Sequence, residues 1–214
     1  MADLSPRRPV GSLAVPRDAI IYLKAHEGLR LFPYDDATGR NAGPGEPLIG
    51  VLTIGYGHTG AAAREWGGIT GERATALFET DVERVAVAPI RRLVRAPLDP
   101  SEFGALVMFV FNIGAGAFSR STLLRKVNAR DYAGAGLEFG RWTKQRRGNR
   151  LVEMPGLVKR RAAERAMWEG DFSWEIETPS PSQRVPHGTP VVPPETWAGR
   201  LWNLLDLETK RWMT

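Results

Sequence analysis

The chain has 214 residues, 43% of them hydrophobic, with a formal net charge of +5 and no cysteine. That is enough apolar content for one well-filled core and an appendage, and it rules out disulfide and thiolate chemistry. The modest basic excess suits an anionic partner (nucleic acid, an acidic membrane or a wall polymer) without choosing among them.

Residues 1–15 read as a flexible N-terminus with no apolar run of signal-peptide length. A first helix is expected from about Pro16 or Arg17 to Glu27, with Asp18 in the first turn, where negative charge suits the dipole, and Gly28 just past the end. Residues 29–60 are rich in Gly, Pro and β-branched residues. VLTIGYGHTG (51–60) alternates like a strand running into a turn, and TGRNAGPGEP (38–47) is turn chemistry throughout. A hairpin or three-stranded sheet carrying a long loop is expected.

From Thr70 the pattern becomes helical. Thr70 is the expected N-cap of a helix over 70–94, with an apolar stripe at Leu77, Val82 and Val85 and a kink or stop at Pro89. LDPSEFGALVMFVFNIG (98–114) opens with Asp99 as N-cap, Pro100 at the first helical position and Glu102 at the third, a capping box. It is then apolar all round, as a buried central helix would be. Its richest apolar part is too short and too broken by glycine to span a membrane. NIGAGAF (112–118) reads as a tight helix-to-helix connection. Shorter helices are expected around Ser121–Asn128 and Asp131–Trp142, and a longer one from Pro155 to Glu169 closed by Gly170. TPSPSQRVPHGTPVVPPE is linker composition. ETWAGRLWNLLDLETKRWM then places Trp197, Leu201, Leu204, Leu205 and Trp212 near one helical face. The expected organisation is a flexible 1–15, a catalytic domain over 16–171, a Pro-rich linker over 172–194 and an amphipathic helix over 195–214. That helix either docks on the core or meets an apolar partner.

Two carboxylates stand out. Glu27 falls at a helix C-terminus, whose partial negative charge disfavours the ionised form, and Asp36 follows a short aromatic segment, HEGLRLFPYDD. A protonated Glu facing an Asp is a glycosidase arrangement: one carboxyl protonates the leaving oxygen while the other directs water or steadies the cationic sugar. Spacing alone is weak evidence, because most such pairs are solvated.

The surrounding blocks carry more. HEGLRLFPYDD followed by LTIGYGHTG, then FNIGAGAFSRSTLLRKVN, GRW and PGLVKRRAAERAMW, resembles the phage-type lysozymes, the endolysin and muramidase family (glycoside hydrolase family 24), in the family's order over roughly 16–170. The resemblance implies an α+β lysozyme-like fold, a small β-lobe with a larger helical lobe and the cleft between them. It also implies a peptidoglycan hydrolase cutting between N-acetylmuramic acid and N-acetylglucosamine without a cofactor. It makes Glu27 the acid and Asp36 the base or cation stabiliser, with Thr53 holding water on the opposite face so that the centre inverts. Thr59, Phe111 and Ser121 fall at positions suited to saccharide contact. One departure is clear: the family leaves five residues between the Asp and the Thr, and here sixteen lie between Asp36 and Thr53. The extra segment is loop-like, and it leaves Asp35 as a rival to Asp36. Lacking a leader or anchor, such an enzyme would reach the wall through a pore or by delivery.

Other readings are blander. With three histidines and no cysteine, no metal site is expected; His58 reads as a hydrogen-bonded structural residue and His26 as exposed. GYGHTG lacks the Lys and Ser/Thr of a phosphate loop. The pairs Arg146-Arg147 and Arg160-Arg161 read as a solvated face, with an anionic wall polymer as the second reading. No nucleic-acid arm is evident. The functional alternatives are a non-catalytic wall-binding protein on the same fold and a lytic transglycosylase, which needs only the acid.

Overall fold

A computed structural model describes residues 6–172. Residues 1–5, the expected linker beyond Phe172 and the expected helix over 195–214 lie outside the described residues. The described residues divide into two compact units, one holding residues 6–23 and 82–172, the other Lys24–Asp81.

In the second unit, the last turn of α1 (Arg17–Glu27) leads into an antiparallel sheet of β1 (Arg30–Asp35), β2 (Leu52–Gly55) and β3 (His58–Thr59), in that order, as expected. The register pairs Tyr34 with Thr53 and Asp35 with Leu52, then Thr53 with Thr59 and Ile54 with His58. Paired residues share a face and neighbours alternate. Tyr34, Thr53 and Thr59 therefore lie on one face, and Ile54 on the other. Ile54, Ala63, Ile69, Ala74 and Leu77 form this unit's core, with Leu52, Tyr56 and Ala62 packed against it. α2 (Gly71–Val82) begins at Thr70, whose Oγ1 accepts the Arg73 N–H at 3.2 Å.

A π-helical turn over Glu83–Val87 and then α3 (Ala88–Leu93) follow α2. Pro89 therefore does not stop the helical run: it sits in the first turn of α3, where its missing N–H costs no bond. The wide turn also advances the apolar stripe. Leu77 and Val82 are buried as expected, but Val85 is only half-buried, and Ala86, Val87 and Ile90 continue the stripe instead.

The first unit is built on α4 (Pro100–Ile113), buried at every position from Ser101 to Val110. Its capping box is present: the Glu102 N–H donates to Asp99 Oδ1 at 2.8 Å and the Asp99 N–H to Glu102 Oε2 at 3.0 Å. α5 (Ala115–Ser119) is a short helix where a tight connection was expected. α6 (Thr122–Asn128), α7 (Tyr132–Glu138) and α8 (Pro155–Trp168) follow. Phe109 meets Phe139 and Trp142 edge-on at 5.2 and 5.5 Å, joining α4 to the turn after α7.

Two expectations fail here for identifiable reasons, and one element was not expected. The segment just before α1 is packed, not flexible. Arg8 and Leu98 exchange backbone hydrogen bonds of 2.7 and 2.9 Å, Val10 and Leu13 are buried, and Arg7 forks onto Glu102 while stacking 3.8 Å from the Tyr132 ring centre. KQRRGNR is a β-hairpin, β4 (Lys144–Arg147) and β5 (Arg150–Glu153). Arg160 and Arg161 are buried, not solvated.

Candidate active site

Gly28 fixes where α1 ends. It adopts φ +71°, a left-handed conformation that favours glycine, and its N–H donates to Lys24 O at 3.2 Å. Glu27 is thereby the last helical residue, and it is half-buried. Lys24 ties the same turn to α2, its Nζ donating to Thr75 Oγ1 at 3.1 Å while lying over the Tyr56 and Phe78 rings.

Tyr34 links the two expected carboxylates. It is 5% exposed, and its hydroxyl is pushed up to about 12, first by burial; Arg30, stacked 4.4 Å from the ring centre, pulls the other way, and Asp36 and Glu27 add to the rise. Both carboxyls act on one hydroxyl, so the helix-end Glu and the strand-end Asp share one electrostatic neighbourhood.

Val51 links Asp36 to Thr53. Its N–H donates to Asp36 Oδ1 at 2.6 Å, and its carbonyl accepts from both the Asp36 N–H at 3.1 Å and Thr53 Oγ1 at 3.0 Å. The Thr53 hydroxyl spends its hydrogen on that carbonyl and keeps acceptor capacity. Thr59 lies opposite Thr53 across the ladder and is exposed.

The long insertion does not loosen this arrangement, because Asp35 staples it. One Asp35 oxygen accepts the N–H groups of Ala37, Thr38 and Gly50 at 2.9, 3.3 and 3.0 Å, and the other that of Ile49 at 2.6 Å. The backbone adds bonds from Asp35 N–H to Arg40 O and from Gly39 N–H to Asp35 O, and Arg30 reaches Gly39 O at 2.7 Å. The start and finish of the insertion are thus pinned to one buried carboxylate. At Gly50 any side chain would collide with Asp36 Oδ1, so the close approach requires glycine. Burial pushes the Asp35 carboxyl up, but the four N–H groups outweigh it and hold it below the ordinary carboxylate value. Its ionised form is favoured by folding, so the stabilisation is in place at neutral pH and is lost as pH falls through the acid range.

Asp35→Ala is therefore expected to lower stability by about 2 kcal/mol through stranded backbone donors. It should also reduce turnover, by releasing Val51 from Asp36. Asp35→Asn, which keeps acceptor capacity on one oxygen, should lose less of both. Urea titration alongside kcat checks the pair, and equal effects from the two substitutions would count against the staple.

His58 is bonded as a structural residue, its Nδ1 lying 2.7 Å from Asp81 Oδ2 and joining β3 to the end of α2. Among the described residues no group of three or more His, Asp or Glu is arranged to hold a metal ion. Phe111 and Ser121 belong to the other unit. Phe111 is a half-buried residue of α4, and Ser121 is the N-cap of α6, its Oγ accepting the Leu124 N–H at 3.0 Å. Sequence reading missed Tyr34 and the role of Asp35. The only signal for either was the unusual YDD triplet directly before a Gly- and Pro-rich insertion.

A family model described as phage lysozyme matches residues 24–164, from the end of α1 into α8. The chain belongs to the phage lysozyme family. It is 37% identical over 155 residues to an endolysin of Acyrthosiphon pisum secondary endosymbiont phage 1, covering 72% of this chain and 97% of the relative. It is 39% identical over 158 residues to a SAR-endolysin of Escherichia phage Mu, covering 74% and 81%. Among solved structures, the muramidase domain of SpmX from Asticaccaulis excentricus superposes with a TM-score of 0.61 at 33% identity, covering 73% of this chain and 97% of that one. The α+β class expected from the resemblance agrees with these lysozyme folds.

Proposed function

We propose that this phage lysozyme hydrolyses the β-1,4 bond between N-acetylmuramic acid and N-acetylglucosamine with inversion. In this reading Glu27 is the general acid, and Asp36 and Thr53 direct the attacking water. Family membership makes the chain a peptidoglycan-degrading muramidase of the endolysin type. The observation supporting the finer assignment is the Val51 backbone, whose N–H donates to Asp36 and whose carbonyl accepts from Thr53.

The chemistry follows from which lone pairs are engaged. With Val51 on Oδ1, the Asp36 Oδ2 is the oxygen turned to water, and the Thr53 oxygen accepts a second water hydrogen. A water held by both donates its hydrogens to the protein and keeps a lone pair for the anomeric carbon. Glu27 gives its proton to the glycosidic oxygen as the bond breaks, and Asp36 takes the proton that water sheds. Positive charge on the ring is stabilised by the Asp36 carboxylate. Asp35, with four backbone N–H groups on its oxygens, has little capacity left for water, which favours Asp36. Thr59 is an exposed hydroxyl beside Thr53 and suits a sugar contact. Phe111 and Ser121 are the further saccharide contacts of this reading, and the Ser121 hydroxyl, which accepts the Leu124 N–H, retains its hydrogen to donate.

The wall is the site of action, reached through a pore or by delivery. No helix among the described residues is long and apolar enough to cross a membrane.

Digestion of purified peptidoglycan in H₂¹⁸O, read by mass spectrometry, tests the reaction. The expected result is new reducing muramic acid ends carrying one ¹⁸O, formed as the α-anomer. Anhydro ends would assign a lytic transglycosylase instead. No new ends would leave a wall-binding protein on this fold.

A further inference from the structure

The β4–β5 hairpin is not used by the reaction. It is closed by a two-residue turn, Gly148-Asn149, with Gly148 at φ +57°. It is anchored at its base by the Met154 N–H on Thr143 O at 2.9 Å and by Thr143 Oγ1 on Glu153 Oε2 at 3.0 Å. Beyond that base every strand residue except Gln145 is exposed.

The composition of this protrusion is unusual for a solvated edge. Four of its eight strand residues are Lys144, Arg146, Arg147 and Arg150, and Glu153 is the single carboxylate. Lys144, Arg146 and Arg150 make no ion pair among the described residues. Arg147 and Arg150 face each other across the ladder, where like charges repel. Next to these cations Leu151 is 64% exposed and Val152 39%. By the register, one face carries Lys144, Arg146 and Leu151, and the other Arg147, Arg150 and Val152.

We propose that this hairpin enters the headgroup layer of an anionic phospholipid membrane. Charge complementarity sets the partner as a polyanion, whose phosphates would compensate Lys144, Arg146 and Arg150. The apolar residues choose the lipid source. A soluble or wall-bound polyanion needs no exposed Leu and Val, and it meets one face at a time. A headgroup layer surrounds the inserted tip, neutralises cations on both faces and takes Leu151 and Val152 toward the acyl boundary. The proposal stands apart from the hydrolytic reading, because it rests on none of the residues assigned to the reaction.

The test uses the full chain and sedimentation with vesicles of phosphatidylglycerol and phosphatidylethanolamine, or of phosphatidylcholine alone. Three proteins are compared: wild type, K144Q/R146Q/R147Q/R150Q, and L151S/V152S. Circular dichroism monitors folding, and hydrolysis of soluble peptidoglycan fragments monitors activity. Wild type should bind the anionic vesicles and not the zwitterionic ones. The quadruple variant should lose affinity on the order of 100-fold or more, since each cation near such a surface contributes about a factor of five. The L151S/V152S variant should lose about 10-fold, and both variants should hydrolyse soluble fragments normally. Wild-type retention of vesicles by the quadruple variant would overturn the proposal and move the contact elsewhere in the chain. Full binding by L151S/V152S would overturn insertion and leave a charge contact such as a wall polymer offers. Loss of fragment hydrolysis in a folded quadruple variant would also overturn it, assigning the hairpin to substrate.

Discussion

Glu27→Gln is expected to lower kcat on peptidoglycan by about 10³-fold, the contribution of a positioned general acid, with KM nearly unchanged. The amide has the shape of the carboxyl and keeps the Gly28 cap, so α1 ends where it did. What is lost is the proton for the glycosidic oxygen. A carboxylate at the last residue of a helix faces the carbonyl end of the dipole, and its neutral replacement removes that repulsion. The variant should therefore melt at the same temperature as wild type or slightly above it, a cost to stability accepted at a working site. Asp36→Asn should fall by a comparable factor in an inverting hydrolase, because the water loses its base. In a transglycosylase it would keep most activity. Initial rates and thermal melts on the three proteins decide the matter. An active, folded Glu27→Gln enzyme would place the acid elsewhere.

How much was legible in the sequence depended on how local each interaction was. The Asp99–Glu102 capping box, the Gly28 stop and the Thr70 cap are written within three or four residues, and each forms as the residues suggest. The Asp35 staple was invisible. Its decisive partners are Ile49 and Gly50, reached across a loop whose composition says only that it turns. The arm before α1 reads as flexible because its backbone partner, Leu98, is distant in sequence. The basic hairpin was legible in principle: Gly-Asn between two alternating runs is a turn signal, and charge masked it. Arg160-Arg161 misled in the opposite way. On a helix rich in Arg, Lys and Glu, nothing local distinguishes the two arginines that are buried. Glu27, Asp36 and Thr53 were singled out from ordered blocks resembling a family. Tyr34 and Val51, which connect them, act through burial and backbone and leave no motif.

The largest loss of stability is expected from Arg161→Met, about 3–5 kcal/mol by urea denaturation, the usual cost of stranding one buried charge. Arg161 is 2% exposed and Glu164 fully buried. The guanidinium donates to Glu164 Oε1 at 2.6 Å and to Asn112 Oδ1 at 2.7 Å, and it lies 4.9 Å from the Phe109 ring centre. Arg161 Nε and Nη1 and Glu164 Oε2 have no hydrogen-bond partner among the described residues, so the pair is under-satisfied even when intact. Removing both ends should then cost far less than removing one. Arg161→Met with Glu164→Leu is expected within about 1–2 kcal/mol of wild type, and the double-mutant cycle should show strong coupling. The pH dependence gives a second reading of the same site. Burial pushes the Glu164 carboxyl up to about 7 from 4.5, against the pull of Arg161 and Arg160. The folded state therefore holds this proton more tightly than the unfolded chain. Its contribution is full below 4.5 and is lost as pH rises through about 7, opposite in sign to that of Asp35. Glu164→Gln should flatten the decline in stability between pH 5 and 8. In Arg161→Met the carboxyl rises further, so that variant should regain stability on acidification. If Arg161→Met instead lost equal stability at pH 5 and pH 8, its cost would be packing against Phe109 and the loss of Asn112, not an uncompensated charge.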